Sequence, residues 1–222
     1  MDSRRLGNKA LLSLANKELI KWPTDALKAV NGLIPILTTS DRKIDDPLVD
    51  FAIKNELLSF RGSIDDIALR ILTACDLFDL DYVFRINGDS PFVNINLLQE
   101  AIICLELHLP DFVSNLVERT YPYGLSCELI KVSTFRTYYR KFNANQKEHV
   151  TSYYYKNLKE INFVEVSHLD NNYSHLNWTV DTKKDLIRLN QYVAKSKLKN
   201  LHFEPVKSVI EDYLNIMNIK NL

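Results

Sequence analysis

The order of apolar runs along this chain leaves few architectures open to it. Short runs, several of them rich in β-branched or aromatic residues, alternate with longer stretches of helical periodicity: Leu33 to Thr39, then Asp46 to Asn55, Leu57 to Phe60, Ile64 to Phe78, Tyr82 to Ile86 and Asn94 to Leu107. A strand–helix–strand rhythm of this kind builds a parallel sheet with helices packed on its faces. Ile64, Ile67, Ala68, Ile71, Leu72 and Cys75 recur on one helical face, while Asp46-Pro47 reads as a cap followed by a first-turn proline. After Pro122 the pattern changes to aromatic-rich and polar segments through Tyr155, then Ile161 to Val166. Helical periodicity returns over Thr182 to Ala194 and Pro205 to Met217. Residues 1–222 are expected to form one α/β domain, with residues 121–178 as a lid or subunit-contact excursion from the sheet.

Charge narrows the partners. Among 222 residues, 28 are basic and 28 acidic, so no global field draws nucleic acid or an anionic membrane, and any anion must be caught by a local cluster. No apolar run approaches the roughly 18 residues that a membrane span needs, and a cytoplasmic location is expected. Cys75, Cys104 and Cys127 are odd in number, widely spaced and set among apolar residues, the pattern of buried free thiols.

Tyr82 to Ile86 ends abruptly in Asn87-Gly-Asp-Ser-Pro91, which holds one carboxylate between a glycine and a proline. Parallel strands present functional loops at their carboxyl ends, where Asp89 is placed to hold a hard cation against a substrate phosphate. An ordinary Asn-Gly-Asp turn explains the same residues. Four of the five glycines, Gly7, Gly62, Gly88 and Gly124, stand beside charged or polar clusters, consistent with one shared site or with turns that simply favour glycine.

Seven segments then fall in the order of a known family. Met1-Asp-Ser-Arg-Arg-Leu-Gly-Asn-Lys9 resembles the Ser-x-Arg-Leu-Pro-Gly-Lys loop that opens cytidylyltransferases of the spore-coat-polysaccharide type, relatives of the enzymes that make CMP-activated Kdo and sialic-type acids. Thr38-Thr-Ser-Asp41 with Asp45-Asp46 is similar to that family's second-strand motif, and Phe60-Arg-Gly-Ser-Ile-Asp-Asp66 with Arg70 to its nucleotide-proximal segment. Arg85-Ile-Asn-Gly-Asp-Ser-Pro91 resembles Thr-Gly-Asp-Cys-Pro, and Tyr123-Gly-Leu-Ser-Cys-Glu128 resembles Lys-Gly-Leu-Asp-Val-Glu. Lys147-Glu-His-Val-Thr151 is similar to Arg-Glu-His-Val-Thr, and Trp178-Thr-Val-Asp-Thr-Lys-Lys-Asp185 to Thr-Val-Asp-Thr-x-x-Asp.

The resemblance implies a Rossmann-like fold of the nucleotide-diphospho-sugar transferase type, with a mostly parallel sheet and helices on both faces. It also implies that a sugar or sugar-acid hydroxyl attacks the α-phosphate of CTP, for surface glycan synthesis. Arg5, Lys9 and Asp89 would be catalytic, with Arg5 and Lys9 on the triphosphate. Ser3, Arg5, Lys9, Ser40, Arg61, Ser63, Asp66 and Gly88 would bind nucleotide, while Glu128, Lys147 and His149 would face the acceptor. Asp89 and Asp181 would hold Mg2+, each following an apolar run that reads as a strand. Read without the family, Asp181 is a helix N-cap before Leu186, Asp65 and Asp66 complement a helix dipole, Arg70 pairs with Asp66 one turn away, and His149 is a core histidine. Thr179 replaces an aspartate of the Kdo and sialic-type relatives, which leaves a leaner metal shell. Lys147 replaces an arginine and loses bidentate recognition, so acceptor choice is expected to differ.

The same family places a strand and a final arginine ahead of the Ser-x-Arg-Leu loop. Omitting about five buried apolar side chains costs about 8–15 kcal/mol, comparable to a whole domain's stability. An upstream start, or another segment or subunit in that slot, is therefore expected. Two alternative functions are a nucleotide-sugar glycosyltransferase, for which Asp79-Leu-Asp81 is the one local Asp-x-Asp pair, and a catalytically inactive nucleotide-binding homologue. Tyr138-Tyr139 and Tyr153-Tyr-Tyr155 suggest a homodimer contact, or else core packing.

Overall fold

The computed structural model describes residues 9–166 and 168–219. The described chain opens with a 3₁₀ turn (Lys9–Leu11) and a small antiparallel hairpin, β1 (Ser13–Leu14) and β2 (Lys17–Glu18). Ala15 and Asn16 both take positive φ between them, as a tight hairpin turn requires. The next elements are α1 (Lys21–Lys28), β3 (Ile36–Ser40), α2 (Asp46–Lys54), β4 (Leu58–Gly62), α3 (Ile67–Leu77), β5 (Tyr82–Phe84) and α4 (Ile95–His108). From β3 onward these follow the expected alternation. The cap of α2 is Asp45 rather than Asp46, because Asp46 is already helical and Pro47 occupies the first turn.

The chain continues through β6 (Phe112–Ser114), β7 (Glu128–Lys131), α5 (Val132–Tyr139), α6 (Ala144–Glu148), α7 (Ser152–Lys156), β8 (Phe163–Glu165), α8 (Lys183–Lys195) and α9 (Val206–Met217). Two sheets carry the architecture. β3 and β4 pair in parallel from Ile36 with Leu58 to Ser40 with Gly62. The other sheet runs β5-β7-β6-β8, with β6 and β8 parallel and β7 antiparallel to both of its neighbours. Residues 115–127 contain no crossover helix, so β7 returns in the opposite sense, whereas α5 to α7 provide the crossover that makes β8 parallel to β6. The result is an α/β fold with parallel sheet elements flanked by helices. Residues 121–178 contribute both β7 and β8 to the sheet.

Three apolar clusters fill the layers. The largest joins α1, α4, α8 and α9 through Phe92, Trp178, Tyr192 and Tyr213, whose ring centroids lie 4.9–5.9 Å from neighbours. A second lies between α3 and α5–α7 around Phe112, Phe135 and Tyr154, and a small third holds Leu37, Leu48 and Phe51. Tyr153 and Tyr154 are buried in the second cluster, with Tyr138, Tyr139 and Tyr155 packed against it, so these rings are core and not an exposed contact. Cys75 and Cys127 are buried and Cys104 partly so, all as free thiols. Burial first, and the neighbouring Asp76 second, push the Cys75 thiol up to about 11. Among the described residues no helix is long and apolar enough to cross a membrane.

Among the described residues β3 and β5 are not paired with each other. A cavity of about 820 Å³ separates them and opens beside Lys9 and Asp89.

Candidate active site

Beyond β5 the chain turns sharply, with the Ser90 amide donating to the Asn87 carbonyl at 3.2 Å, and this turn presents Asp89. Three residues on, Phe92 is buried and lies 5.8 Å from Trp178 in an edge contact. Trp178 begins the segment that carries Asp181, and the Val180 amide donates to the Asp89 carbonyl at 3.0 Å. Main chain and aromatic core together therefore bring two carboxylates, far apart in sequence, to one place. Gly124 secures this segment from outside: the Tyr123 amide donates to Leu176 and its carbonyl accepts from Trp178 at 2.7 Å. At Gly124 φ is +94°, and a Cβ would lie 2.9 Å from the Trp178 carbonyl carbon.

Lys9 closes the pair. Its Nζ donates to Asp89 Oδ2 at 2.7 Å and to Asp181 Oδ1 at 3.0 Å. Burial opposes the ammonium charge, but Asp89 and then Asp181 outweigh it and hold the Lys9 pKa above the usual lysine value. Ser90 Oγ donates to Asp89 at 3.3 Å, and Thr179 Oγ1 donates to Asp181 Oδ2 at 3.1 Å. Asp181 is not the cap of α8. Thr182 fills that position in a capping box with Asp185, leaving Asp181 free to face Lys9. Two carboxylates converging on one cation are an oxygen-only donor set, which suits a hard ion such as Mg2+ that takes one or two carboxylates and fills its shell with phosphate oxygens and water.

The other expected residues divide between this centre and supporting roles. Gly88 lines the cavity beside Asp89, where an added Cβ would meet Ile20 Cδ1 at an ordinary 3.5 Å. Ser40 is buried and donates to Asp45, while accepting from the Arg42 amide and Nε at 3.3 Å. Arg61 fastens this loop: Nε donates to the Ser40 carbonyl at 3.1 Å, Nη2 to the Arg42 carbonyl at 2.8 Å, and Nη1 pairs with Asp46 at 2.7 Å. Ser63 accepts from the Asp65 and Asp66 amides. Asp66 caps α3 by accepting from Leu69 at 2.8 Å and also takes Tyr139 at 2.8 Å and Lys147 at 3.1 Å. Burial would raise the Asp66 carboxyl, yet these three donors together hold it below the usual aspartate value. Arg70 donates to the Ser63 carbonyl at 3.0 Å instead of forming the one-turn pair with Asp66.

On the expected acceptor side, Glu128 is 3 % exposed and accepts from Tyr155 at 2.7 Å and from Arg85 at 3.3 Å. Tyr155 also lies 2.7 Å from Ser114 Oγ, so one polar network ties β5, β6, β7 and α7 together. His149 is exposed at the end of α6, not in the core. Ser3 and Arg5 lie outside the described residues. Sequence reasoning gave Tyr155 only a subunit-contact or packing role and gave Ser114 none; only the register across β6 and β7 brings Ser114 opposite Glu128. Asp79 and Asp81 precede β5, with the Asp81 carbonyl accepting from Val132, so they stand at the opposite end of that strand from Asp89.

The model of the cytidylyltransferase family matches residues 1–213. The spore coat polysaccharide biosynthesis protein SpsF of Bacillus subtilis is 25 % identical over 194 residues, covering 83 % of this chain and 79 % of that protein. A cytidylyltransferase from Leptospira borgpetersenii superimposes with a TM-score of 0.88 at 23 % identity, covering 100 % of this chain and 94 % of the other. A CMP:2-keto-3-deoxy-manno-octonic acid synthetase complexed with CTP superimposes with a TM-score of 0.59 at 14 % identity, covering 87 % and 94 %. These two structures share the fold. The match over residues 1–213 gives the family: this chain belongs to the cytidylyltransferases and is a nucleotidyltransferase.

Proposed function

We propose that the chain is a CTP-dependent sugar cytidylyltransferase acting on a sugar acid for surface glycan synthesis. In the reaction an acceptor hydroxyl oxygen forms a bond to the α-phosphorus as the bond to the bridging oxygen of the β-phosphate breaks. The products are a CMP-sugar and pyrophosphate, and the hydroxyl proton leaves to solvent. The observation that carries this reading is the convergence of Asp89, Asp181 and Lys9 beyond the carboxyl end of β5. Asp89 and Asp181 are the residues to hold Mg2+, which when bound would neutralise charge on the α-phosphate and the departing pyrophosphate. Lys9, already gathered beside both carboxylates, supplies a point charge for the triphosphate, and Arg5 a planar one. The SpsF relative and the CTP-bound synthetase of the same fold support a nucleotide donor and a sugar-acid acceptor.

Residues 121–178 are proposed to wall the acceptor side. Lys147 on α6 meets Asp66 at the start of α3, and Glu128 anchors β7 beneath. Pyrophosphate release, measured with each nucleoside triphosphate, Mg2+ and a panel of sugar acids, tests the whole reading. Release should require CTP and one acceptor class, and Asp89→Asn should reduce it at least about 100-fold while the far-UV spectrum stays unchanged. Full turnover by that variant, or transfer from a preformed nucleotide sugar instead, would overturn the assignment.

A further inference from the structure

Val83, Ile130, Phe112 and Phe163 stand in register across β5, β7, β6 and β8, and all four face the second apolar cluster. Two residues away on each strand, on the same face, the next row is Arg85, Glu128, Ser114 and Glu165. The Arg85 amide donates to the Glu128 carbonyl at 3.0 Å, which holds this row in line beyond the end of β5. The apolar face therefore stops in a polar row at the carboxyl end of β5, the end that also presents Asp89. Arg85 and Asp89 border the same cavity.

Three members of this row are occupied by protein partners. Glu128 uses one carboxylate oxygen for the Tyr155 hydroxyl and the other for Arg85 Nη1. Ser114 Oγ meets the Tyr155 hydroxyl and accepts from the Leu116 amide at 3.1 Å, while Glu165 takes the Glu118 amide at 3.0 Å and lies 3.4 Å from His168. Burial, and then the Glu128 charge, push the Tyr155 hydroxyl well above its ordinary value, so it stays a donor. Arg85 differs. Its side chain is 21 % exposed, and among the described residues only Nη1 is bonded. Nε and Nη2 remain, and these two N–H groups form the parallel edge that fits both oxygens of a carboxylate or phosphate.

We propose that Arg85 selects the acceptor by gripping its carboxylate with Nε and Nη2, and that Glu128 and Tyr155 are positioning residues that fix the guanidinium for this contact. The inference rests on the proposed sugar-acid reading and supplies its specificity residue. Lys147, on the same side of the sheet, cannot present such a fork: its single ammonium already pairs with Asp66 at 3.1 Å and lies over the Tyr139 ring. Arg85 is tied through Glu128 on β7 and Tyr155 on α7 to residues 121–178, the segment proposed to wall the acceptor, whereas Lys9 stands with Asp89 and Asp181. Its anion is accordingly the acceptor's and not the triphosphate. Glu128, with both oxygens engaged, orients the fork and does not itself touch the sugar.

The test is titration calorimetry with uronic, aldonic and 2-keto sugar acids, each as the free acid and as its methyl ester, with CTP present and a chelator preventing turnover. At least one acid should bind, and its ester about 10–100-fold more weakly, the loss expected for hydrogen bonds to a charged group. Arg85→Lys keeps a cation for Glu128 without the fork; it should weaken the acid by a similar factor and leave the ester and CTP affinities unchanged. Tyr155→Phe lacks only the hydroxyl and should narrow the ratio of acid to ester affinity by about 3–10-fold. A purely structural Arg85–Glu128 pair would move neither ratio. The parent's own preference for acid over ester keeps the test valid should a variant fail to fold. Equal binding of acid and ester by the parent, binding of no acid at all, or an Arg85→Lys variant that binds the acid as the parent does would each overturn the proposal. So would a fall in CTP affinity with the acid unaffected, which would give the fork to a phosphate. Acid binding that depends on Arg85 without any pyrophosphate release under turnover conditions would remove the proposed reaction and leave this site standing; release that Arg85→Lys leaves untouched would remove the site alone.

Discussion

Lys9 has two partners, and its removal acts on both. Lys9→Met leaves two carboxylates facing each other without a cation, so the variant should lose at least about 100-fold in turnover and respond more strongly to added Mg2+ in thermal melts than the parent does. The Lys9 pKa is raised, so its contribution to stability is complete below the unfolded value of 10.5 and declines as pH climbs through the higher folded value. Between pH 6 and 9 it should therefore add no slope to stability. Asp66 works in the opposite sense. Its carboxyl is held down, so its contribution is present above the unfolded value of 3.8 and is lost as pH falls through the lower folded value. Urea unfolding at stepped pH should show Asp66→Asn with a flatter acid limb below pH 3.8, since asparagine keeps the cap and loses the charge. Asp66→Ala should lose about 1 kcal/mol at neutral pH as well. At this scale the sequence was legible where a motif fixes a residue's neighbours. Asp89, Asp181 and Lys9 are brought together, but Arg70 binds a carbonyl and Asp66 reaches across to α6, and neither follows from spacing along one helix.

At the scale of elements, the start of α8 separates structure from chemistry within one short segment. Thr182 and Asp185 do the capping, so Thr182→Ala should cost about 1 kcal/mol, read as a Tm fall of about 2–4 °C. Gly124 has the opposite balance. Gly124→Ala forces a side chain into a left-handed position and against the Trp178 main chain, which carries Asp181. That variant should lose about 1–3 kcal/mol in denaturant unfolding and a larger share of turnover than Thr182→Ala does. The strands and helices from Ile36 to His108 were legible because periodicity and length agree there. β6, only Phe112–Ser114, is too short to show an alternation, and the antiparallel course of β7 depends on what lies between them in space.

For the whole molecule, the division into two sheets sets an order of unfolding. β3 and β4 are backed by the small cluster around Leu37 and Phe51, whereas β5 to β8 lie between the two large ones. Native-state hydrogen exchange should therefore show the amides of Ile36–Gly62 opening at lower free energy than those of Phe112–Lys131. Similar opening free energies across both sheets would show that they behave as one cooperative unit. Composition foretold an ordinary core but could not say that it would be divided. The carboxylate pair spans parts of the chain that fold around the same aromatic rings, and the last link between them is the Val180 amide on the Asp89 carbonyl. That donor belongs to every amino acid but proline. The spacing of the two acids is thus written in the backbone, where substitutions at position 180 that still fit the core leave it intact and Val180→Pro alone deletes the bond.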